Sequence, residues 1–150
     1  MIVYRLTTGE YAGDISGTGS KIFGGRWNPV GFAALYTSEF ISLAILEILV
    51  RATKDTSPES YTLTSFEIPD SSIYPLQLKK LKREWKFDLK YTQGIGEDFL
   101  AEHQSLCLKV PSAIVSQENN FLLNPIHPDF KKIKIIASEL LELDKRLLIH

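Results

Sequence analysis

Hydrophobic and polar positions along this chain alternate in short bursts, with a single long apolar crowding near residue 45. Ile2 to Leu6 (IVYRL) is β-branched and aromatic and predicts an opening strand. Thr7 to Ser20 holds four glycines and little that packs, which predicts a long loop. FGGRWNPVG reads as a turn from its Gly and Pro content, and Ala33 to Thr37 (AALYT) as a second strand. From Phe40 the apolar density predicts a helix reaching to about Ala52. Ser38 is placed to cap it, and Glu39 suits its positive end. On a helical wheel Ile41, Ala44, Ile45, Ile48 and Ala52 form the core face, and Glu47 falls well off its centre.

The rest of the chain favours strands. TKDTSPES (Thr53 to Ser60) is the best loop candidate. In YTLTSFEI the apolar pairs Tyr61/Leu63 and Phe66/Ile68 slip once against strict alternation, which predicts a bulge. Thr92 to Gln104 predicts a short helix around EDFLAEH. LCLKV, SAIV and FLLN are β-prone runs separated by Pro111 and the QENN turn. Pro128 can open one helical turn before KIKIIAS and ELLELD close the sheet. Strands outnumber helices and no regular βαβ alternation appears. The expected class is therefore α+β, a largely antiparallel split β-sheet with a few flanking helices. With no internal repeat and no linker, residues 1–150 read as one domain.

Composition narrows what such a fold can do. A hydrophobic share of 44% and a charged share of 23% suit a packed core and exclude a disordered chain. A net charge of -1 offers no broad attraction to nucleic acid or to an anionic membrane, so any anionic ligand needs a few placed donors. Cys107 is the single cysteine, which excludes an internal disulfide and fits a reducing compartment. Within LCLKV it is expected in the core, not as a nucleophile. The run Phe40 to Val50 is too short to span a bilayer and the first residues lack a secretory pattern, so the expected location is cytoplasmic. His103, His127 and His150 are scattered, and no metal site is expected. The basic run Leu78 to Lys86 (LKKLKREWK) reads either as a solvated face with an apolar stripe or as an RNA contact with Trp85 as stacking platform.

Candidate chemistry lies in a few polar residues at odd places. Glu47 emerges from an otherwise apolar helix, either as a solvated ion pair with Arg51 one turn on or as a carboxylate working at packed surface. Arg26 follows two glycines and precedes Trp27. It is either a surface guanidinium stacked on the indole or a bidentate phosphate contact. Tyr36 sits in the strand leading to the Glu47 helix, where a satisfied core tyrosine is the ordinary expectation. Ser112 follows Pro111 between two strands. Asn119, Asn120, Asn124 and His127 crowd around two prolines, which suggests a rigid hydrogen-bonded loop. Each of these alone has an adequate structural explanation.

Together they resemble a known family. FGGRWNPVGFAALYTSEFISLAILEILV and the later PSAIVSQENNFLLNPIHPDF resemble the two blocks of RES-domain proteins, and Tyr4–Arg5 resembles the family's start. The likeness runs from Val3 to Leu147. It implies a fold similar to ADP-ribosyltransferase toxins and an NAD+-consuming toxin of a toxin–antitoxin pair. Such a toxin cleaves the nicotinamide–ribose bond and transfers ADP-ribose to water, phosphate or a protein. It implies catalytic residues at Glu47, Arg26, Tyr36 and Ser112, with Arg26, Tyr36, Arg5 and Asn124 binding substrate. It implies no cofactor beyond NAD+ as substrate and no metal. The implied partner is an Xre-type helix-turn-helix antitoxin, with room for a homodimer inside the complex and no direct contact with nucleic acid or membrane. A non-enzymatic interaction or RNA-binding domain is the alternative from a different class.

Overall fold

The computed structural model describes residues 1–52 and 60–148. Seven strands form: β1 (Ile2–Thr7), β2 (Leu35–Ser38), β3 (Ser60–Glu67), β4 (Ile73–Pro75), β5 (Cys107–Pro111), β6 (Asn119–Leu123) and β7 (Lys134–Glu142). Among the described residues three α-helices accompany them: α1 (Thr18–Phe23), α2 (Ile41–Leu49) and α3 (Leu89–Glu102). The strands make one sheet in the order β4-β5-β6-β2-β1-β3-β7, antiparallel throughout except for β4 beside β5. The α+β, largely antiparallel class is what the sequence predicted. The split takes a particular form. The hydrogen-bonded order is continuous, yet β1 and β2 meet only where Tyr4 faces Ser38. By contrast β1 follows β3 along its whole length, and β2 follows β6 from Leu35 to Ser38.

The two faces of this sheet bury different cores. One face carries Val3, Leu35, Phe66, Ile68, Phe121 and Leu123, covered by Ile15, Phe130 and Ile133. The other is divided between two helices. Beneath α2, which contributes Ala44, lie Leu6, Tyr61 and Leu63. Beside α3, which contributes Leu100, lie Trp27, Trp85, Leu108, Val110 and Leu122. Completely buried side chains such as Phe66 and Phe121 each stabilise the fold by about 2–3 kcal/mol through lost apolar contact with water. Cys107 is buried in the same way, and burial pushes its thiol well up, so it is no thiolate.

The slipped alternation in β3 has a physical origin visible in these cores. Tyr61 and Leu63 pack under α2, whereas Phe66 and Ile68 pack on the opposite face. Register with β1 runs unbroken from Thr7 opposite Thr62 to Ile2 opposite Glu67. The irregularity lies against β7, between Ser65 and Phe66, where Ile136 is the extra residue. β3 changes the face it buries, and its edge neighbour carries the bulge.

Several local expectations change. α1 forms inside the predicted loop, bracketed by Gly17 and Gly24 at φ of 71° and 73°. SAIV is a turn and not a strand. α3 is a longer helix than EDFLAEH suggested, capped by Asp88 accepting from the Tyr91 amide at 3.0 Å. Its Gly96 is obligatory, because a Cβ there would stand 1.5 Å from the Trp27 carbonyl oxygen. Ser38 does not cap α2; it ends β2, and Phe40 holds the cap position without a side-chain bond. α2 ends at Leu49, although the Ala52 amide still reaches the Ile48 carbonyl at 3.1 Å. Leu43, absent from the predicted core face, is fully buried, while Ile41 is exposed. Trp85 is 4% exposed and packs on Trp27 with ring centroids 5.8 Å apart, so the basic run is a cover over a core and not a stacking platform. Thr53–Glu59 of the predicted loop, and His150, lie outside the described residues.

Candidate active site

The inward turn of Leu43 fixes where Glu47 goes. Residues four apart share one face of a helix, so burying Leu43 carries Glu47 toward the sheet as well. There the β2–β6 register has placed Asn120 directly opposite Ser38. The Asn120 amide donates to Glu47 Oε1 at 2.5 Å, and the Ser38 hydroxyl donates to Asn120 Oδ1 at 2.8 Å. Ser112 approaches from the turn after β5. Its fully buried hydroxyl donates to the same Glu47 Oε1 at 3.0 Å and accepts the Ile114 and Val115 amides at 3.1 Å each. Two accepted amide protons leave the hydroxyl proton for the carboxylate. Among the described residues Glu47 makes no ion pair with Arg51. The simple surface pair is therefore not formed.

Glu47 faces a cleft of about 260 Å³ that opens where β1 and β2 part. Consecutive residues of both strands line it, Tyr4 to Leu6 and Leu35 to Ser38, because a gap in a sheet exposes both pleats. Gly17 to Ser20 form a further wall, and Arg51 and Asn120 stand with Glu47. Arg5 also lines the cleft; its Nη1 donates to the Asp14 carbonyl at 2.8 Å, and partial burial pulls its pKa down against the opposing pull of the Asp14 charge. Asp14 itself is held below the usual carboxylate range, chiefly by bonds from the Ser16 hydroxyl and amide. It presents a negative charge at the rim.

Tyr36 also lines the cleft, and its hydroxyl is engaged by the GGRWN turn. The hydroxyl donates to Asn28 Oδ1 at 2.5 Å and accepts the Trp27 amide at 3.0 Å. Burial pushes its pKa up to about 12, only partly offset by the Trp27 amide bond and the Arg51 and Arg26 charges, so it stays a neutral phenol. The glycine before Arg26 makes this docking feasible, since a Cβ on Gly25 would fall 2.6 Å from the Tyr36 oxygen. Asn28 ties the turn further by donating to the Ser20 and Phe32 carbonyls at 2.8 Å each.

Of the predicted residues, Glu47, Tyr36 and Arg5 line one cleft and Ser112 touches Glu47. Arg26 stands outside the lining: its Nη1 donates to the Lys86 carbonyl at 3.0 Å, and its charge acts weakly on the Tyr36 hydroxyl. Asn124 lies elsewhere, fully buried, donating to the Leu100 carbonyl at 3.2 Å beside a second cavity. Asn120, Ser38 and Arg51 were not selected from the sequence. A signal existed for two of them, since Ser38 shares the Tyr36 face of β2 and Arg51 follows Glu47 by one turn. Among the described residues no three His, Cys, Asp or Glu side chains gather closely enough to hold a metal ion, and no helix is long and apolar enough to cross a membrane.

Comparison with known proteins gives a consistent picture. A family model described as RES domain matches residues 2–144. A protein of Photorhabdus laumondii named Toxin Res is 41% identical over 135 residues, covering 88% of this chain and 86% of its own. A Prs ADP-ribosylating toxin of a Sphingobium species is 36% identical over 128 residues, covering 82% and 80%. The crystal structure of the M. tuberculosis MbcT–MbcA toxin–antitoxin complex contains a chain of the same fold. Its TM-score is 0.77 at 21% identity, covering 94% of this chain and 84% of that one.

Proposed function

This chain belongs to the RES-domain family, and we propose that it is the NAD+-consuming toxin of a toxin–antitoxin pair. In this reading it cleaves the nicotinamide–ribose bond and passes ADP-ribose to water, phosphate or a protein. The observation that carries the reading is the Glu47 carboxylate, fixed through one oxygen on the wall of a cleft that also holds Arg5, Arg51 and the Tyr36 ring. The relative named Toxin Res supports the toxin role, and the one named Prs ADP-ribosylating toxin supports the reaction class.

The chemistry asks for what this cleft offers. The nicotinamide ring of NAD+ is cationic and departs from the ribose as a neutral molecule, so little acid catalysis is needed. The developing charge is an oxocarbenium-like ribose, as in glycoside hydrolysis. A carboxylate held beside it stabilises that charge without reorganising. Tyr36 is suited to stack against nicotinamide or its ribose as a neutral ring. Arg5 and Arg51 supply cationic donors for the diphosphate, and Arg26 contributes from behind the tyrosine. No metal takes part in this reading. An Xre-type antitoxin would act by covering the cleft.

The test is direct. Purified chain is incubated with NAD+, with and without phosphate and lysate, while nicotinamide release and labelled ADP-ribose are followed. We expect release that Glu47→Gln abolishes and Arg26→Ala reduces. Wild-type protein that leaves NAD+ intact while binding a partner protein would establish the non-enzymatic alternative instead. The RNA form of that alternative is disfavoured by the burial of Trp85.

A further inference from the structure

We infer that Asn120, locked by Ser38, is a positioning residue that fixes which oxygen of Glu47 meets the substrate. This inference rests on the reading of Glu47 as the carboxylate at the ribose. Three observations carry it. Both hydrogen bonds to Glu47 fall on Oε1, from Asn120 at 2.5 Å and Ser112 at 3.0 Å. Among the described residues Oε2 has no protein partner, and Glu47 lines the cleft. Ser38 donates to Asn120 Oδ1 at 2.8 Å, which leaves only the amide nitrogen to face the carboxylate.

The Glu47 carboxylate, which only accepts, draws the amide end of Asn120, and the Ser38 bond to Oδ1 holds that orientation. Turned over, Asn120 would set Oδ1 against the Glu47 carboxylate, oxygen against oxygen. With its oxygen occupied by a hydroxyl proton, the amide stays donor-first. Ser38 and Asn120 are register partners across β2 and β6, so two strands and not a loop set the position. Ser112 is held as firmly, its oxygen filled by the Ile114 and Val115 amides. Oε1 is therefore the anchored atom, and Oε2 is the one that meets the positive ribose.

The experiment compares wild type with Asn120→Ala, Asn120→Asp and Ser38→Ala. Steady-state nicotinamide release from NAD+ is measured from about pH 5 to about pH 9, with melting temperatures alongside. Asn120→Ala is expected to lower kcat on the order of 10–100-fold with KM changed less than about threefold, since it acts on the transition state through Glu47. Ser38→Ala is expected to lower kcat by roughly 3–10-fold. Asn120→Asp keeps the shape and serves where the alanine variant does not fold. Its carboxyl shares one proton with Glu47 and can donate to Oε1 only while that proton is held. The kcat profile should therefore gain an alkaline decline that the wild type lacks, which a merely structural role would not produce. Unchanged kcat in Asn120→Ala, or an Asn120→Asp profile parallel to wild type, overturns the inference alone. Wild-type protein without NAD+ turnover overturns the proposed function as well.

Discussion

Asn28 and Asn120 each take a hydroxyl proton from β2 on Oδ1, Asn28 from Tyr36 at 2.5 Å and Asn120 from Ser38 at 2.8 Å, yet their amide ends meet different partners. Asn28 is fully buried, and its amide spends its protons on the Ser20 and Phe32 carbonyls that close the GGRWN turn. The Asn120 amide ends on a carboxylate that lines the cleft. Tyr36 and Ser38 are two apart on one strand and point to the same face. The same side-chain device closes one region upon itself and leaves the other with an ionic oxygen to offer. The difference predicts that damage to the first region is read as stability and damage to the second as activity.

The strongest challenge to that contrast is Glu47→Gln. Glutamine keeps an oxygen for Asn120 and Ser112 but loses the charge. Nicotinamide release should fall on the order of 10²–10³-fold or more while the melting temperature moves by no more than about 2 °C. A large loss of melting temperature would place Glu47 in the structural region instead. Asn28→Ala should do the reverse. It leaves the Tyr36 hydroxyl proton and the Phe32 carbonyl without their partner, while the Ser20 carbonyl keeps the Gly24 amide, costing about 3 kcal/mol and lowering the melting temperature by roughly 6–12 °C. Denaturant titration of the folded variant would check it.

A smaller effect sharpens the comparison through pH. The folded pKa of Tyr36, about 12, lies above the ordinary phenol value of about 10. A raised acid favours the fold while protonated. Its stabilisation is therefore fully present below about pH 10 and fades as pH climbs toward 12, by about 2 kcal/mol across that window. Tyr36→Phe removes this dependence at a cost of about 1–2 kcal/mol at neutral pH. Unfolding free energies of the two proteins should converge as the solution becomes strongly alkaline. Parallel curves would show that the hydroxyl is not buried as described.

What could be seen in the sequence follows the range of the physics involved. Strands β1, β2, β5 and β6 were visible because period-two patterning is local, and so was the slip at Phe66. α1 was hidden because its bracketing glycines, Gly17 and Gly24, are the residues that also mark loops. α3 was underestimated for a related reason: Gly96 looks like a breaker, and its use, contact with the Trp27 backbone, is 69 positions away in the chain. In the cleft, Glu47 and Tyr36 stood out as polar groups in apolar segments. Asn120 did not, because its partner Ser38 lies 82 residues off and only strand register brings them together. Arg26 stood out for its glycines, but those glycines serve the Tyr36 hydroxyl, and the guanidinium beside Glu47 in the cleft lining is Arg51.

One feature of the sheet reaches beyond the residues that line the slit. The strands β4-β5-β6-β2 and β1-β3-β7 form two blocks, each laddered within itself, and they share a single rung at Tyr4 and Ser38. Whatever lodges between them touches both blocks at once. A bound molecule there acts as a strut: it stiffens the seam that the backbone leaves nearly unsewn, and the molecule's mechanical weak line and its place of chemistry are one and the same.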